Sequence, residues 1–312
     1  MTKRIVVTGA LGHIGSAFIH SMVADDDFEM TLIDDMSAQR YCSLFNLPSA
    51  GKFRFVEADV CTADLDELFK GADTVIHLAA ITDAASSFDR KDEVERVNFD
   101  ATVRVANACL KTGASLIFPS TTSVYGVQES LVDESCTSEQ LKPQSPYAEA
   151  KLKSEQWLAS CDGLKYVVLR LGTIFGVSPG MRFHTAVNKF IWQACLGQPL
   201  TVWRTAMNQK RPYLAVSDAV QAFRLVLEKN AFERQVLNVV TLNATVAEIV
   251  DEIRRNVPDL TVNLVDTKIM NQLSYEVSSA RFQALGYKFT GDLRRDVSES
   301  VALLRKVRSL AN

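Results

Sequence analysis

Short apolar blocks of two different periods alternate along roughly the first 170 positions. Lys3-Arg4-Ile5-Val6-Val7 reads as a strand, and in Ser16 to Val23 the apolar residues Phe18, Ile19 and Met22 recur at helical spacing. Phe28 to Ile33, Phe53 to Ala58, Thr74 to Ala80 and Ser115 to Phe118 repeat the strand pattern, while Asn98 to Lys111 and Tyr147 to Ser160 read as helices. This alternation predicts an α/β fold, a doubly wound parallel sheet with helices on both faces. After about residue 170 the chain is expected to leave the sheet, to return through Arg211 to Leu227, and to form a helix from Thr245 to Arg255. Leu293 to Leu310 has the spacing of a packing helix. The expected division is a large domain of residues 1–170 plus about 211–240, and a smaller C-terminal α/β lobe of about 171–210 and 241–312.

Composition agrees with this plan. A chain of 312 residues, 47% hydrophobic, supports one large core and an appended lobe. No fixed-period repeat or long Pro/Gly/Ser linker interrupts it. A net charge of -3 gives no electrostatic case for nucleic acid or an anionic membrane as partner. No apolar run reaches membrane-span length, and a strand beginning within a few residues leaves no room for a signal peptide, so a cytoplasmic protein is expected. The six cysteines, Cys42, Cys61, Cys109, Cys136, Cys161 and Cys195, show neither CxxC spacing nor paired histidines nearby, which predicts reduced thiols and no metal site.

The first candidate chemistry lies where the first strand becomes a helix, at Thr8-Gly9-Ala10-Leu11-Gly12-His13-Ile14-Gly15. Gly9 permits a tight turn, Gly12 keeps a side chain out of the path of a diphosphate, and Gly15 lets the helix pack closely on the sheet. With His13 and Ile14 opening the helix, its dipole favours an anion there. Asp34 ends the second strand, nineteen residues beyond Gly15, where a carboxylate accepts hydrogen bonds from an adenosine ribose. Asp34 and Asp35 therefore favour NAD over NADP, with Arg40 close enough to weigh the other way. Asp59-Val60 is placed to frame an adenine, and the small residues after Leu78, Ala79 and Ala80, permit close approach of a dinucleotide. His77 in the same strand reads as a hydrogen-bonded core histidine. The amide of Asn98 either caps a helix or reaches the cofactor.

The fifth strand ends in a hydroxyl cluster, Ser120-Thr121-Thr122-Ser123, and ligands of open parallel sheets bind beyond the carboxyl ends of the strands. About twenty residues later Tyr147 and Lys151 stand four apart on one helical face. A free phenol titrates near pH ~10, so a nearby cation such as Lys151 is needed to make Tyr147 a base.

These motifs, with Thr8-Gly9-x-x-Gly12-x-x-Gly15, Ser120 to Gly126, Tyr147-x-x-x-Lys151, Val167 to Gly176 and Arg211 to Asp218, resemble the extended short-chain dehydrogenase/reductases, specifically the NAD-dependent epimerase/dehydratase family. The resemblance covers about three quarters of the chain and implies a Rossmann domain, bound NAD and a nucleotide-diphosphate sugar as substrate. It implies that Tyr147 removes a proton from a sugar hydroxyl, that Lys151 lowers the phenol's pKa and holds the nicotinamide ribose, and that Thr121 orients the same substrate oxygen. Arg211 matches an arginine that holds the substrate diphosphate. Dehydratases of the family carry an acidic pair where this chain has Thr122 and Ser123, which favours an epimerase. Many sugar epimerases have asparagine where Thr173 stands, so the substrate phosphate site is expected to differ. In the loop Ser178 to His184, Arg182 is a candidate for a phosphate or carboxylate, and His184 a weaker one. The resemblance also implies a homodimer through a four-helix bundle built from the helices around Asn98 to Lys111 and Tyr147 to Ser160. Two other readings stay open: a dehydrogenase or keto-reductase acting on a sugar or small alcohol, and an NAD-binding protein without turnover.

Overall fold

In the computed structural model, residues 2–22, 27–49, 52–128, 131–266 and 274–304 are described. Seven strands of the large sheet follow one another as β1 (Lys3–Thr8), β2 (Phe28–Asp34), β3 (Lys52–Glu57), β4 (Thr74–His77), β5 (Ser115–Thr121), β6 (Tyr166–Leu171) and β7 (Glu233–Val239). Every pairing is parallel and the order across the sheet is β3-β2-β1-β4-β5-β6-β7. The order reverses between β1 and β4, and the crevice at such a reversal is where doubly wound folds bind ligands.

Strand alternation divides the apolar residues between two cores. Ile5 and Val7 of β1 face one side, where Phe18 and Ile19 of helix His13–His20 meet Phe223 and Val226 of helix Val216–Lys229. Val6 faces the other, with Val105 and Cys109 of helix Ala101–Thr112 and Leu158 of helix Pro146–Ser160. The sheet thus carries helices on both faces, the Rossmann arrangement.

Two expectations are corrected. The helix read as opening at Asn98 begins a run at Lys91 that passes through a π-helical stretch, Glu95–Asp100, before continuing as Ala101–Thr112. Asn98 is therefore mid-run and caps no helix start. The strand containing Arg211, Lys210–Ala215, does not rejoin the large sheet. It pairs in parallel with Thr173–Phe175 and antiparallel with Leu242–Thr245, and only β7 returns. The parting occurs at Gly172, where a Cβ would stand 3.0 Å from the Tyr213 carbonyl carbon. Two backbones pass so closely there that a side chain would require one of them to shift.

The small sheet is packed by helices Ala186–Cys195, Val246–Asn256 and Leu293–Leu304 around Phe175, Ile191, Tyr213, Ile249, Ile253 and Val297. Thr245 and Glu248 cap the second of these reciprocally. Of the helix expected over Leu293 to Leu310, positions 305–310 lie outside the described residues. Among the described residues no helix is long and apolar enough to cross a membrane.

Candidate active site

The glycine turn and the end of β4 meet backbone to backbone. Gly9 takes φ +63°, and a Cβ there would lie 2.5 Å from the Ala79 amide nitrogen. The Leu78 N–H donates to the Thr8 carbonyl at 2.9 Å and the Ala79 N–H to the Thr8 hydroxyl at 3.4 Å, while Leu78, Ala79 and Ala80 all stay partly exposed. A Cβ on Gly15 would lie 2.5 Å from the Ala10 carbonyl, so the helix rests directly on the turn. Gly12 is its N-cap and supplies no side-chain acceptor, which leaves the first-turn amides of His13 and Ile14 for an anion. The buried His13 ring bonds the Gly176 carbonyl at 2.9 Å. Burial pulls its pKa to about 4, so the backbone and not a charged imidazole is offered to the anion.

Asp34 accepts the Leu11 N–H at 3.0 Å and the Met36 N–H at 3.1 Å, which fixes the carboxylate at the mouth of the turn. Burial lifts its pKa, and those two bonds and the charge of Arg40 oppose the rise. Asp35 is exposed and accepts the Ser37 N–H at 3.0 Å and the Ser37 hydroxyl at 2.7 Å, a local turn. Asp59 accepts the Cys61 N–H at 2.8 Å beside the buried Val60. Asn98 is buried, and both ends of its amide are engaged by the Ile81 backbone, at 2.8 and 2.9 Å. It braces the segment after β4. His77 is a core histidine between the Thr8 and Thr102 hydroxyls, at 2.7 and 3.2 Å.

Ser145 caps the Tyr147 helix by accepting the Ala148 N–H at 3.3 Å, with Pro146 in its first turn. Burial pushes the Tyr147 phenol up to about 12, against a hydrogen bond with Thr121 and the charge of Arg182, and the Tyr275 phenol adds to the rise. Thr121 ends β5 and also accepts the Ser123 N–H at 3.1 Å. Lys151 is buried, donates to the Pro119 carbonyl at 2.8 Å and lies 4.5 Å over the Phe118 ring. Burial lowers its pKa to about 8, and the charge of Glu155 holds it from falling further. The cation bearing on the phenol in this structure is thus Arg182, while the Lys151 amine turns to β5.

Thr122 donates to the Leu171 carbonyl at 3.3 Å and accepts from Tyr275 at 3.4 Å. Burial raises the Tyr275 pKa, while Thr122, Ser123 and the charge of Arg211 lower it, so these four side chains share one place. Thr173 stands opposite Tyr213 on the neighbouring strand, one residue pair from the Leu214–Ile174 pair. Arg182 lies against the glycine turn with one nitrogen on the Thr82 hydroxyl, and His184, exposed, follows it. Sequence reasoning missed Tyr275. It lies 153 residues from Thr122, and no local pattern singles it out.

The family model of the NAD dependent epimerase/dehydratase family matches residues 5–240. The chain belongs to that family. It is similar to an uncharacterised UDP-glucose epimerase of Bacillus subtilis, 31% identical over an alignment of 248 positions that covers 76% of each chain. A dTDP-D-glucose 4,6-dehydratase of Mus musculus is 28% identical over an alignment of 323 positions that covers 97% of this chain and 89% of the relative. Among solved structures, MoeE5 in complex with UDP-glucose and NAD superposes with a TM-score of 0.82 at 26% identity, over 97% of this chain and 99% of that one. Both epimerases and dehydratases thus stand among the relatives. NAD is the cofactor of the NAD-dependent epimerase/dehydratase family, and the residues present here fit it: an uncapped helix N-terminus beyond a close-packed glycine turn, and a fixed carboxylate at Asp34.

Proposed function

We propose that the protein is an NAD-dependent nucleotide-sugar epimerase. The observation that carries this reading is the Tyr147 phenol, hydrogen-bonded with Thr121 at the end of β5 and within the field of Arg182. Tyr147 takes a proton from a sugar hydroxyl and later returns it, and Thr121 hydrogen-bonds the same oxygen, orienting it and sharing its developing charge. Lys151 holds the nicotinamide ribose, as Asp34 holds the adenosine ribose, and lowers the phenol's pKa once its amine leaves the Pro119 carbonyl for the bound cofactor. When bound, NAD supplies the acceptor and donor of hydride at the sugar carbon. Arg211, beside Tyr275, Thr122 and Ser123, holds the substrate diphosphate with a fork of donors.

Elimination of water needs an acid at the leaving hydroxyl. Thr122 and Ser123 have no acidic group, and the Thr122 hydroxyl is engaged by Leu171 and Tyr275, which supports epimerisation over dehydration. In this reading residues 1–170, with helix Val216–Lys229 and β7, form the body of the NAD-binding domain, and the small sheet that carries Arg211, with its helices, faces the sugar end. Two copies pair through helices Ala101–Thr112 and Pro146–Ser160, which light scattering tests.

The deciding experiment incubates the protein with UDP-, GDP-, CDP- and dTDP-sugars, following the sugar by NMR and NADH by absorbance. Epimer without net NADH supports the proposal. NADH accumulating with product would make the protein a dehydrogenase, and a deoxy-keto product would make it a dehydratase.

A further inference from the structure

Residues 176–182, leaving the small sheet, are fastened to the glycine turn of the large one. His13 bonds the Gly176 carbonyl at 2.9 Å, Ser16 donates to the Ser178 hydroxyl at 3.1 Å, and the Gly180 N–H donates to Ser16 at 2.9 Å. The Cys42 thiol reaches the Pro179 carbonyl at 3.3 Å. Gly180 itself runs so close that a Cβ would lie 2.1 Å from the Leu11 carbonyl and 2.6 Å from that of Gly12. Two residues on comes Arg182, whose carbonyl is held by the buried Asn188 amide at 3.0 Å.

The Arg182 guanidinium spans the gap between the turn and the segment after β4. Nη1 donates to the Thr82 hydroxyl, Nη2 would lie 3.7 Å from a Cβ on Gly12, and Nε is buried without a hydrogen-bond partner among the described residues. Asp34, Asp83 and Tyr147 face it favourably and Arg40 unfavourably. Burial pulls its pKa to about 10, which keeps it cationic at neutral pH.

We infer that Arg182 binds the diphosphate of the dinucleotide, opposite the amides of His13 and Ile14, and does not serve the sugar substrate. The inference rests on the reading that this site binds NAD. A diphosphate lying across Gly12 has helix amides on one side and, on the other, a cation whose Nε has no hydrogen-bond partner among the described residues and whose Nη2 stands close to Gly12. The strap bearing this cation is anchored by three hydrogen bonds to helix His13–His20 and by a fourth to Cys42, which fixes Arg182 in place beside Gly12.

Calorimetric titration of the nucleotide-stripped full chain with NAD, ADP-ribose, adenosine and UDP tests this, in the wild type, Arg182→Met and Arg182→Lys. Arg182→Met should weaken NAD and ADP-ribose alike, by about 10- to 100-fold, and leave adenosine and UDP unchanged. Arg182→Lys should recover part of the loss and serves if the methionine variant does not fold. If NAD affinity survives in both variants the inference fails, and if UDP alone weakens, Arg182 belongs to the sugar substrate. A wild type that binds neither NAD nor ADP-ribose would instead overturn the functional proposal itself.

Discussion

Arg170 grips the carboxylate of Glu155 from two nitrogens, Nη2 at 2.6 Å and Nε at 3.1 Å, with the two side chains only 6% and 5% exposed. Glu155 stands one helical turn beyond Lys151, and Arg170 belongs to β6, so the pair fastens the Tyr147 helix to the sheet. The same carboxylate accepts from Ser120, the neighbour of Thr121, and Arg170 continues through the Tyr125 hydroxyl at 3.0 Å to Asn238 at 3.0 Å. Thr121, Tyr147 and Lys151 are thus held from one buried network.

Removing one partner strands the other's charge in the interior. Glu155→Ala should cost about 3–5 kcal/mol of stability, and the double variant with Arg170→Met should recover much of it. Urea unfolding measures both. A single-variant loss below about 1 kcal/mol would sink this account of the pair.

Tyr147→Phe should lower kcat by about 10²- to 10⁴-fold, the usual worth of a positioned acid–base group, while NAD binds as before. Thr121→Val should act in the same direction through the hydroxyl it removes from the shared oxygen. Epimerisation kinetics and NAD titration on the same preparations check this. Unchanged turnover in Tyr147→Phe would overturn the assignment of Tyr147 as the base.

The phenol's pKa gives a second handle. Without cofactor it lies near 12, so almost none is ionised at neutral pH, and its ionised fraction rises tenfold per pH unit below that value. Bound oxidised NAD adds positive charge and should move the titration downward. The ultraviolet difference spectrum of wild type minus Tyr147→Phe, taken with and without NAD, reads the shift. A titration that stays near 12 with NAD bound would contradict the assignment of Tyr147 as base.

Acid should destabilise the fold through two histidines. Burial holds His13 near 4 and His77 near 3, below the ordinary 6.5, so between pH 6.5 and about 4 the unfolded chain binds two protons that the native chain does not. Their contribution is complete above pH 6.5 and is lost as pH falls, by about 1.4 kcal/mol per pH unit for each histidine once well below 6.5. Denaturation across this range should show His77→Gln with the shallower slope, whatever its absolute stability. Parallel slopes would show that His77 does not titrate in this way.

Asp34→Ser should narrow the preference for NAD over NADP, because it removes the anion that repels a 2′-phosphate while Arg40 remains nearby. The ratio of the two dissociation constants is the measurement. An unchanged ratio would show that Asp34 does not face the ribose.

Most of the frame was legible in the sequence because its causes are local. Alternating apolar residues specify β1 to β5, glycines mark where β1 turns into a helix, and a spacing of four places Tyr147 and Lys151 on one helical face. Periodicity carries no record of which distant segments meet. It did not show that Lys210–Ala215 pairs with Thr173–Phe175, that Asn98 braces Ile81, or that the Lys151 amine turns to Pro119. Nor did it bring Tyr275 to Thr122 across 153 residues, or set Arg182 against Gly12 and within the field of Tyr147. The sequence by itself determined the elements and the chemistry each one carries. Which groups share a site was decided only by tertiary packing, since close backbone crossings such as Gly172 and Gly180 depend on shape and not on local pattern.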